Sequence, residues 1–303
     1  MQILVTGASG YVGAALIPRL REGGHAVRGY GRSAARITAP VDDVVEGDAI
    51  AGTGLDRALD GVEVAYFLIH SMEGPGNGFA DLERQAAEHF AAAAAAAGVR
   101  RIVYLGGLVP DDGQISRHLA SRLAVEELLL AAAPESIAFR ASIVIGARSR
   151  SFRVLVRLVE RMPVLALPAW RDHRTAPVDG RDMLEFLTRS ATAPSELSGR
   201  SWDIGGPDVM SYGELVERIA DAMLVRRPRV GIDVTMTGLA SVVASAIAGE
   251  DVGLIAPLME SLEHDLLPRH EAAPAFGVRL HSFDAAVERA LREWERDEEL
   301  AAR

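Results

Sequence analysis

Lysine is absent: all 32 basic residues of the 303-residue chain are arginine. A Tyr-x-x-x-Lys catalytic pair is therefore excluded before any other residue is considered. Cysteine is absent too, which removes disulfides, thiolate nucleophiles and cysteine–metal clusters and fits a cytoplasmic protein. Acid outweighs base, giving a formal net charge of −10, and no basic stripe interleaved with aromatics occurs. Nucleic acid and anionic membranes are excluded as general partners, although a local arginine group can still hold a phosphate. Long apolar runs are missing as well. The longest of concern, residues 238–249, falls short of the roughly 20 residues a membrane span needs, so a buried helix or a flap over a pocket is expected there. The first residues run straight into a strand and lack the charged-then-apolar layout of a signal peptide.

What is present begins at Val5-Thr-Gly-Ala-Ser-Gly-Tyr-Val-Gly13. Residues 2–6 form a short apolar run suited to a buried strand, Gly7-x-x-Gly10-x-x-Gly13 makes the turn, and residues 14–21 have helical composition. Strand, glycine turn and helix in this order suit a dinucleotide. Gly7 permits the turn, Gly10 lets a pyrophosphate approach the backbone, and Gly13 allows close helix–strand packing, while free N–H groups at the helix start favour the anion. The turn residues Gly7, Ser9, Gly10, Tyr11, Val12 and Gly13 are accordingly assigned to a cofactor. The second strand, residues 25–30, ends in Gly31-Arg32-Ser33, where an NAD site usually places an acid. Arginine there suits a 2′-phosphate and favours NADPH over NADH; a solvated loop arginine is the plainer alternative. A third strand ends at Asp48-Ala49, in reach of an adenine, though Gly-Asp is also a common turn.

Strand-like runs recur at 26–30, 44–46, 64–69, 101–105 and 136–140 with helical patterns between several of them, which predicts a parallel sheet. Residues 79–97 form an alanine-rich helix stopped by Gly98. The expected fold is α/β: a Rossmann-type doubly wound parallel sheet, with residues 1–146 as the NAD(P)-binding domain and 147–303 as a mixed part supplying further elements and the substrate pocket. Beyond Gly146 the pattern is irregular. Helices are expected at 151–162 and 212–224, separated by proline-bearing loops, and residues 283–303 read as a solvated terminal helix or a subunit contact.

Five segments in order, the glycine turn, Tyr66-Phe-Leu-Ile-His-Ser-Met72, Arg101-Ile-Val-Tyr-Leu-Gly-Gly107, Phe139-Arg-Ala-Ser-Ile-Val-Ile-Gly146 and Trp202-Asp-Ile-Gly-Gly206, resemble the atypical short-chain dehydrogenase/reductases. The likeness is to the NmrA-like, NAD(P)H-binding side of the extended epimerase/dehydratase class. It covers most of the chain and is weakest beyond about residue 225. It implies a Rossmann domain binding NAD(P), with a small C-terminal part closing over the nicotinamide. It does not imply one reaction, because such proteins include reductases, redox-sensing regulators and accessory subunits. Active members carry a serine or threonine after the fifth strand and a Tyr-x-x-x-Lys on the next helix. Here the strand runs into Gly106-Gly107 and the helix reads His118-Leu-Ala-Ser-Arg122.

Positions four apart share a helix face, so His118 and Arg122 can meet one ligand. Arg122 is placed on the nicotinamide ribose and His118 as a proton donor, with a partly exposed helix histidine as the bland alternative. Reduction of a simple ketone develops an alkoxide and needs a well-placed acid. A quinone, enone or other conjugated acceptor gives a delocalised anion that a modest acid can protonate. The expectation is therefore an NADPH-dependent oxidoreductase of a conjugated small molecule; the alternative is a non-catalytic NADP-binding regulatory or accessory protein. Leu68, Ile69 and His70, at the fourth strand's end, join the cofactor set, and Ser71, Met72, Gly107, Ser142, Trp170 and Arg174 are assigned to substrate. Ser71 suits a helix cap nearly as well, and His173, Arg174 and Trp170 either bind substrate or anchor their loop. Asp179 and Asp182 are read as N-capping rather than metal-binding, and Met210, Trp202 and Tyr212 as packing residues. A small-molecule substrate, no metal and a monomer or homodimer are expected.

Overall fold

The computed structural model describes residues 1–69, 79–110, 115–231, 262–270 and 272–300. The first half alternates regularly: β1 (Gln2–Thr6), α1 (Tyr11–Glu22), β2 (Ala26–Gly31), β3 (Asp43–Glu46), α2 (Leu55–Leu59), β4 (Val64–Phe67), α3 (Phe79–Ala96), β5 (Arg101–Gly107), α4 (Arg117–Ala132) and β6 (Ile137–Ala141). The second half is more broken: β7 (Val144–Ile145), α5 (Arg150–Arg161), β8 (Leu165–Leu167), β9 (Arg174–Thr175), β10 (Val178–Asp179), α6 (Gly180–Ser190), β11 (Arg200–Ile204), β12 (Met210–Ser211), α7 (Tyr212–Ala222), β13 (Arg229–Gly231), α8 (Ala272–Phe276) and α9 (Phe283–Asp297).

Seven strands build the central sheet in the order β11-β6-β5-β4-β1-β2-β3, every neighbouring pair parallel. A parallel sheet covered on both faces reads as continuous apolar sequence rather than alternation, and all four residues of β4 are buried. On one face α1, α6 and α8 pack around Leu16, Ile17, Phe186 and Phe276. The other face is covered by α2, α3 and α4 through Leu59, Phe90 and Leu129. The fold is thus doubly wound and Rossmann-like, as the sequence pattern predicts. After β3 the chain crosses β1 to lay down β4, so the β1–β4 boundary is the switch point where such sheets bind ligands. Gly98 stops α3 with φ +69, the left-handed turn that only glycine adopts without cost.

A further hydrophobic cluster gathers Phe152, Val156, Trp170, Tyr212, Leu215, Ile219, Leu291 and Trp294. Two expectations are corrected here. Helix α1 starts at Tyr11 rather than at residue 14, because Gly10 is its N-cap. The tail helix is not merely solvated: Phe283, Ala286, Val287, Ala290, Leu291 and Trp294 of α9 are buried, at the three-and-four spacing of one helix face. Residues 238–249 lie outside the described residues. Among the described residues no helix is long and apolar enough to cross a membrane.

Candidate cofactor and substrate cleft

A cleft of about 760 Å³ runs along the carboxyl edge of the sheet. Its centre is the β1–α1 turn. Gly7 has φ +64, and a Cβ there would lie 2.6 Å from the Leu68 carbonyl oxygen. A Cβ on Gly13 would collide with the Gly7 carbonyl oxygen. Both contacts pull the first turn of α1 tight against the strand ends, so its N–H groups, which have no intrahelical acceptors, face the cleft. No acid occupies that turn and no side chain caps it. The turn thus offers an anion cradle closed to any larger residue at two positions.

Thr6 holds the switch point together. Its hydroxyl donates to the Tyr66 carbonyl at 3.0 Å and accepts from the Leu68 N–H at 3.1 Å, which sets Leu68 and Ile69 beside the glycine turn. At the β2 end Arg32 and Arg36 are exposed and line the cleft, and their side chains have no hydrogen bond or ion pair among the described residues. Ser33 lines the same wall. Ala34 is anchored by its N–H to Glu46 at 2.6 Å. At the β3 end Asp48 and Ala49 also line the cleft, and the Asp48 carboxylate accepts the Ile50 N–H at 3.0 Å.

On the other side of the switch point Gly106 and Gly107 end β5, and Arg122 comes forward from α4. The Arg122 guanidinium donates to the Leu105 carbonyl at 2.6 Å and lies 4.0 Å from Glu83, so it is tethered to the cleft wall. Helix α4 is capped by Ser116, whose hydroxyl accepts the Leu119 N–H at 3.2 Å. The His118 side chain, His70, Ser71 and Met72 lie outside the described residues. Ser142 lines the cleft, its hydroxyl 2.9 Å from that of Thr175.

Two residues expected to bind substrate are placed elsewhere. Trp170 is buried against Tyr212, ring centroids 6.3 Å apart, because it belongs to the second core. Arg174 points away and pairs with Asp265 at 2.8 Å. Neither lines the cleft among the described residues. Asp179 is the N-cap of α6, accepting the Arg181 N–H at 2.7 Å, and Asp182 accepts the His281 N–H at 2.7 Å. The sequence pattern missed several wall residues: Arg36, Arg148, Ser149, Arg150, Ser151, Thr175 and Tyr212. Tyr212 does pack as expected, but it also faces the cleft.

All five tyrosines of the chain have phenols held above their ordinary range. Burial pushes Tyr11 and Tyr30 up to about 12. It raises Tyr66, Tyr104 and Tyr212 as well, in Tyr212 against a hydrogen bond from Thr175. The Tyr11 hydroxyl fits a notch made by two glycines: a Cβ on Gly180 would lie 2.7 Å from it, and one on Gly146 would strike it. No tyrosine is therefore poised as a proton donor of lowered pKa.

Residues 7–133 match the family model described as NAD(P)H-binding. Over 241 residues, 78% of this chain and 80% of the relative, the sequence is 27% identical to a (4-alkanoyl-5-oxo-2,5-dihydrofuran-3-yl)methyl phosphate reductase of Streptomyces griseus. Over 132 residues, 44% of this chain and 33% of the relative, it is 27% identical to the mitochondrial NADH dehydrogenase [ubiquinone] 1 alpha subcomplex subunit 9 of Arabidopsis thaliana. A short-chain dehydrogenase/reductase superfamily protein of Agrobacterium tumefaciens, solved with bound NAD, superposes with a TM-score of 0.70 at 19% identity, covering 98% of each chain. That last likeness is one of fold.

Proposed function

We propose, from the match of residues 7–133 to the NAD(P)H-binding family model, that the chain is an NADPH-dependent oxidoreductase acting on a conjugated, quinone-like or enone acceptor. The type is the atypical, NmrA-like short-chain dehydrogenase/reductase. Residues 1–146 hold the cofactor and 147–303 wall the substrate, in a cytoplasmic protein. The observation that carries the choice of acceptor is the cleft's acid chemistry. The chain has no lysine and every tyrosine is raised, so nothing of the Tyr-x-x-x-Lys kind supports an alkoxide. A conjugated acceptor spreads its charge and needs only modest help.

The residues present fit the cofactor, since a Cβ at Gly7 or Gly13 would fill the cradle. A bound nicotinamide supplies the hydride. The N–H groups of Tyr11, Val12 and Gly13 hold the pyrophosphate, with Ser9 and Gly10 lining its approach, Arg32 and Ser33 hold the 2′-phosphate, and Asp48 with Ala49 borders the adenine. Leu68, Ile69 and Gly107 shape the floor, and Arg122 steadies the nicotinamide ribose. Ser142 donates a hydrogen bond to the acceptor's carbonyl oxygen, and His118 returns a proton. The Streptomyces relative supports this reading, because the substrate in its name is the methyl phosphate of a 5-oxo-2,5-dihydrofuran bearing a 4-alkanoyl group, whose ring double bond is conjugated with carbonyls.

NADPH oxidation against a panel of quinones, enones and simple ketones tests it, with NADH as the comparison. Consumption with quinones or enones is expected, NADPH outpacing NADH. Turnover confined to simple ketones refutes it. The likeness to a subunit of an NADH dehydrogenase favours a second reading, a cofactor-occupied accessory protein; tight NADPH binding with no consumption by any acceptor selects that one.

A further inference from the structure

Three buried hydroxyls converge on the β6 side of the cleft. Ser142 follows β6 and is pinned by its N–H to the Ile204 carbonyl at 3.0 Å. Thr175 closes β9, whose antiparallel pairing with β12 sets Met210 opposite it. Tyr212 comes directly after β12, its N–H on the His173 carbonyl at 2.9 Å. Two short strands thus bring Thr175 and Tyr212 together, and β6 supplies Ser142. The three residues are 8%, 1% and 2% exposed, yet all line the cleft. The Ser142 and Thr175 hydroxyls lie 2.9 Å apart, and the Thr175 hydroxyl also reaches the Tyr212 phenol. No backbone carbonyl or carboxylate accepts a hydrogen bond from any of the three among the described residues. Three hydroxyls carry three hydrogens; the two contacts between them occupy two, and the third is left at an end that faces the cleft. A buried donor without an acceptor is costly, so the arrangement calls for a ligand oxygen.

The surroundings decide which oxygen. Leu105, Leu119, Ile143 and Leu266 line the same cleft, and Thr175 forms a parallel bridge with Leu266. Apolar walls with a few converging donors suit a flat, weakly hydrated molecule. The one acid on the wall among the described residues, Asp48, follows β3, five positions from β6 in the sheet, about 24 Å at ~4.8 Å per strand. Asp265 also acts on Tyr212, but its charge is paired with Arg174 at 2.8 Å and it does not line the cleft. Hydroxyls in line polarise one another, and bonds to a charged acceptor are roughly twice as strong as bonds to a neutral one. We propose that Ser142, Thr175 and Tyr212 form an oxyanion subsite for a phenolate or enolate, the oxygen on which a conjugated acceptor collects charge once hydride has arrived. The end hydroxyls, Ser142 and Tyr212, meet that oxygen, and Thr175 is a positioning residue between them. Burial holds the Tyr212 phenol above its ordinary range, so it takes part as a hydrogen-bond donor and keeps its proton. The subsite rests on the proposed function, since it receives that reaction's acceptor.

Calorimetric and absorbance titrations of the full chain saturated with NADP⁺ test it, using 4-nitrophenol, whose phenolate absorbs visible light, and 4-nitrotoluene, which has the same shape but no ionisable oxygen. Bound 4-nitrophenol is expected to ionise at a lower pH than free 4-nitrophenol, because donors to the charged form favour it. Thr175→Val and Tyr212→Phe each weaken the phenolate about tenfold, the scale of one hydrogen bond to a charged group. Thr175→Ser restores it, and all three variants keep the wild-type affinity for 4-nitrotoluene and NADP⁺. Equal loss of both nitro compounds marks a packing role and overturns the subsite. A phenolate that the wild type binds no more tightly than 4-nitrotoluene overturns it too, as does one that Thr175→Val and Tyr212→Phe leave unchanged. Failure of the phenolate with NADP⁺ bound sinks the subsite alone, whereas absence of NADP⁺ binding sinks the cofactor assignment with it.

Discussion

Arg32 sits one residue beyond β2, exposed and without a partner among the described residues. An arginine without a partner among the described residues, in a chain with 42 acidic residues, is available to an anion, and the reading proposed above gives it the 2′-phosphate. Arg32→Ala is expected to weaken NADPH by about ten- to a hundredfold, the scale of one or two charge-assisted hydrogen bonds, with NADH almost unaffected. Fluorescence titration with both coenzymes measures the split, and equal losses for the two contradict the assignment. Arg32 was legible because a strand end is readable from its apolar run. Arg36 was not, since only the short helical turn of Ala34–Arg36 brings it to the same wall. The same limit misplaced Trp170 and Arg174. Their loop is bounded by prolines, which mark a turn in sequence without saying which way its side chains face. The Ser149–Ser151 pair carried a signal that went unused: serines preceding the apolar helical pattern of residues 151–162 mark a helix start, and here that start faces the cleft.

Strand β5 and helix α6 are joined through one side chain. Arg101, fully buried at the head of β5, donates to the carbonyls of Ser190 at 2.7 Å, Ala191 at 3.2 Å and Ala193 at 2.7 Å, and pairs with Glu135 at 2.6 Å. The carbonyls at a helix's carboxyl end have no intrahelical donors, so the guanidinium satisfies several at once. Arg101→Ala strands those acceptors and the carboxylate, and is expected to destabilise the protein by about 3–5 kcal/mol. Urea unfolding reads the loss, and a change under about 1 kcal/mol would show that water replaces the arginine. Sequence pattern marked residues 101–105 as a strand but had no means of announcing a buried arginine in it. At this scale the regular elements were the readable part. The strands β1 to β6 were located to within two residues at either end, because parallel strands covered on both faces leave unbroken apolar runs. The two-residue strands β7, β9, β10 and β12 were invisible, being too short to show any period. The buried face of α9 was present in the spacing of Phe283, Ala286, Val287, Ala290, Leu291 and Trp294, but the alternating charges between them drew the eye to solvent.

For the molecule as a whole, acid is the weak side. Burial alone would raise the Asp179 carboxyl, but hydrogen bonds from the Arg181 side chain and N–H, with the charges of Arg289 and Arg181, together hold it below the usual carboxylate range. Glu135 is lowered as well, chiefly by a hydrogen bond from Ser195, with Arg100 and Arg101 adding their charges. A carboxyl whose folded pKa lies below its unfolded value stabilises the fold above the unfolded value and loses that contribution as pH falls through the folded one. Unfolded carboxyls titrate near about 4, so Tm should be level from neutrality down to about pH 5 and drop below about pH 4. Asp179→Asn should make that drop shallower, and a Tm that climbs on acidification would contradict the account. The Arg289 guanidinium reaches Asp179 at 2.5 Å from α9, beside the notch of Gly146 and Gly180 that receives the Tyr11 hydroxyl. Asp179 and Arg289 are close enough to act on the Tyr11 phenol. A ribosome making roughly 5–20 residues per second releases Tyr11 tens of seconds before Arg289. The β1–α1 turn thus acquires its finished surroundings only once α9, far along the chain, has docked against Asp179.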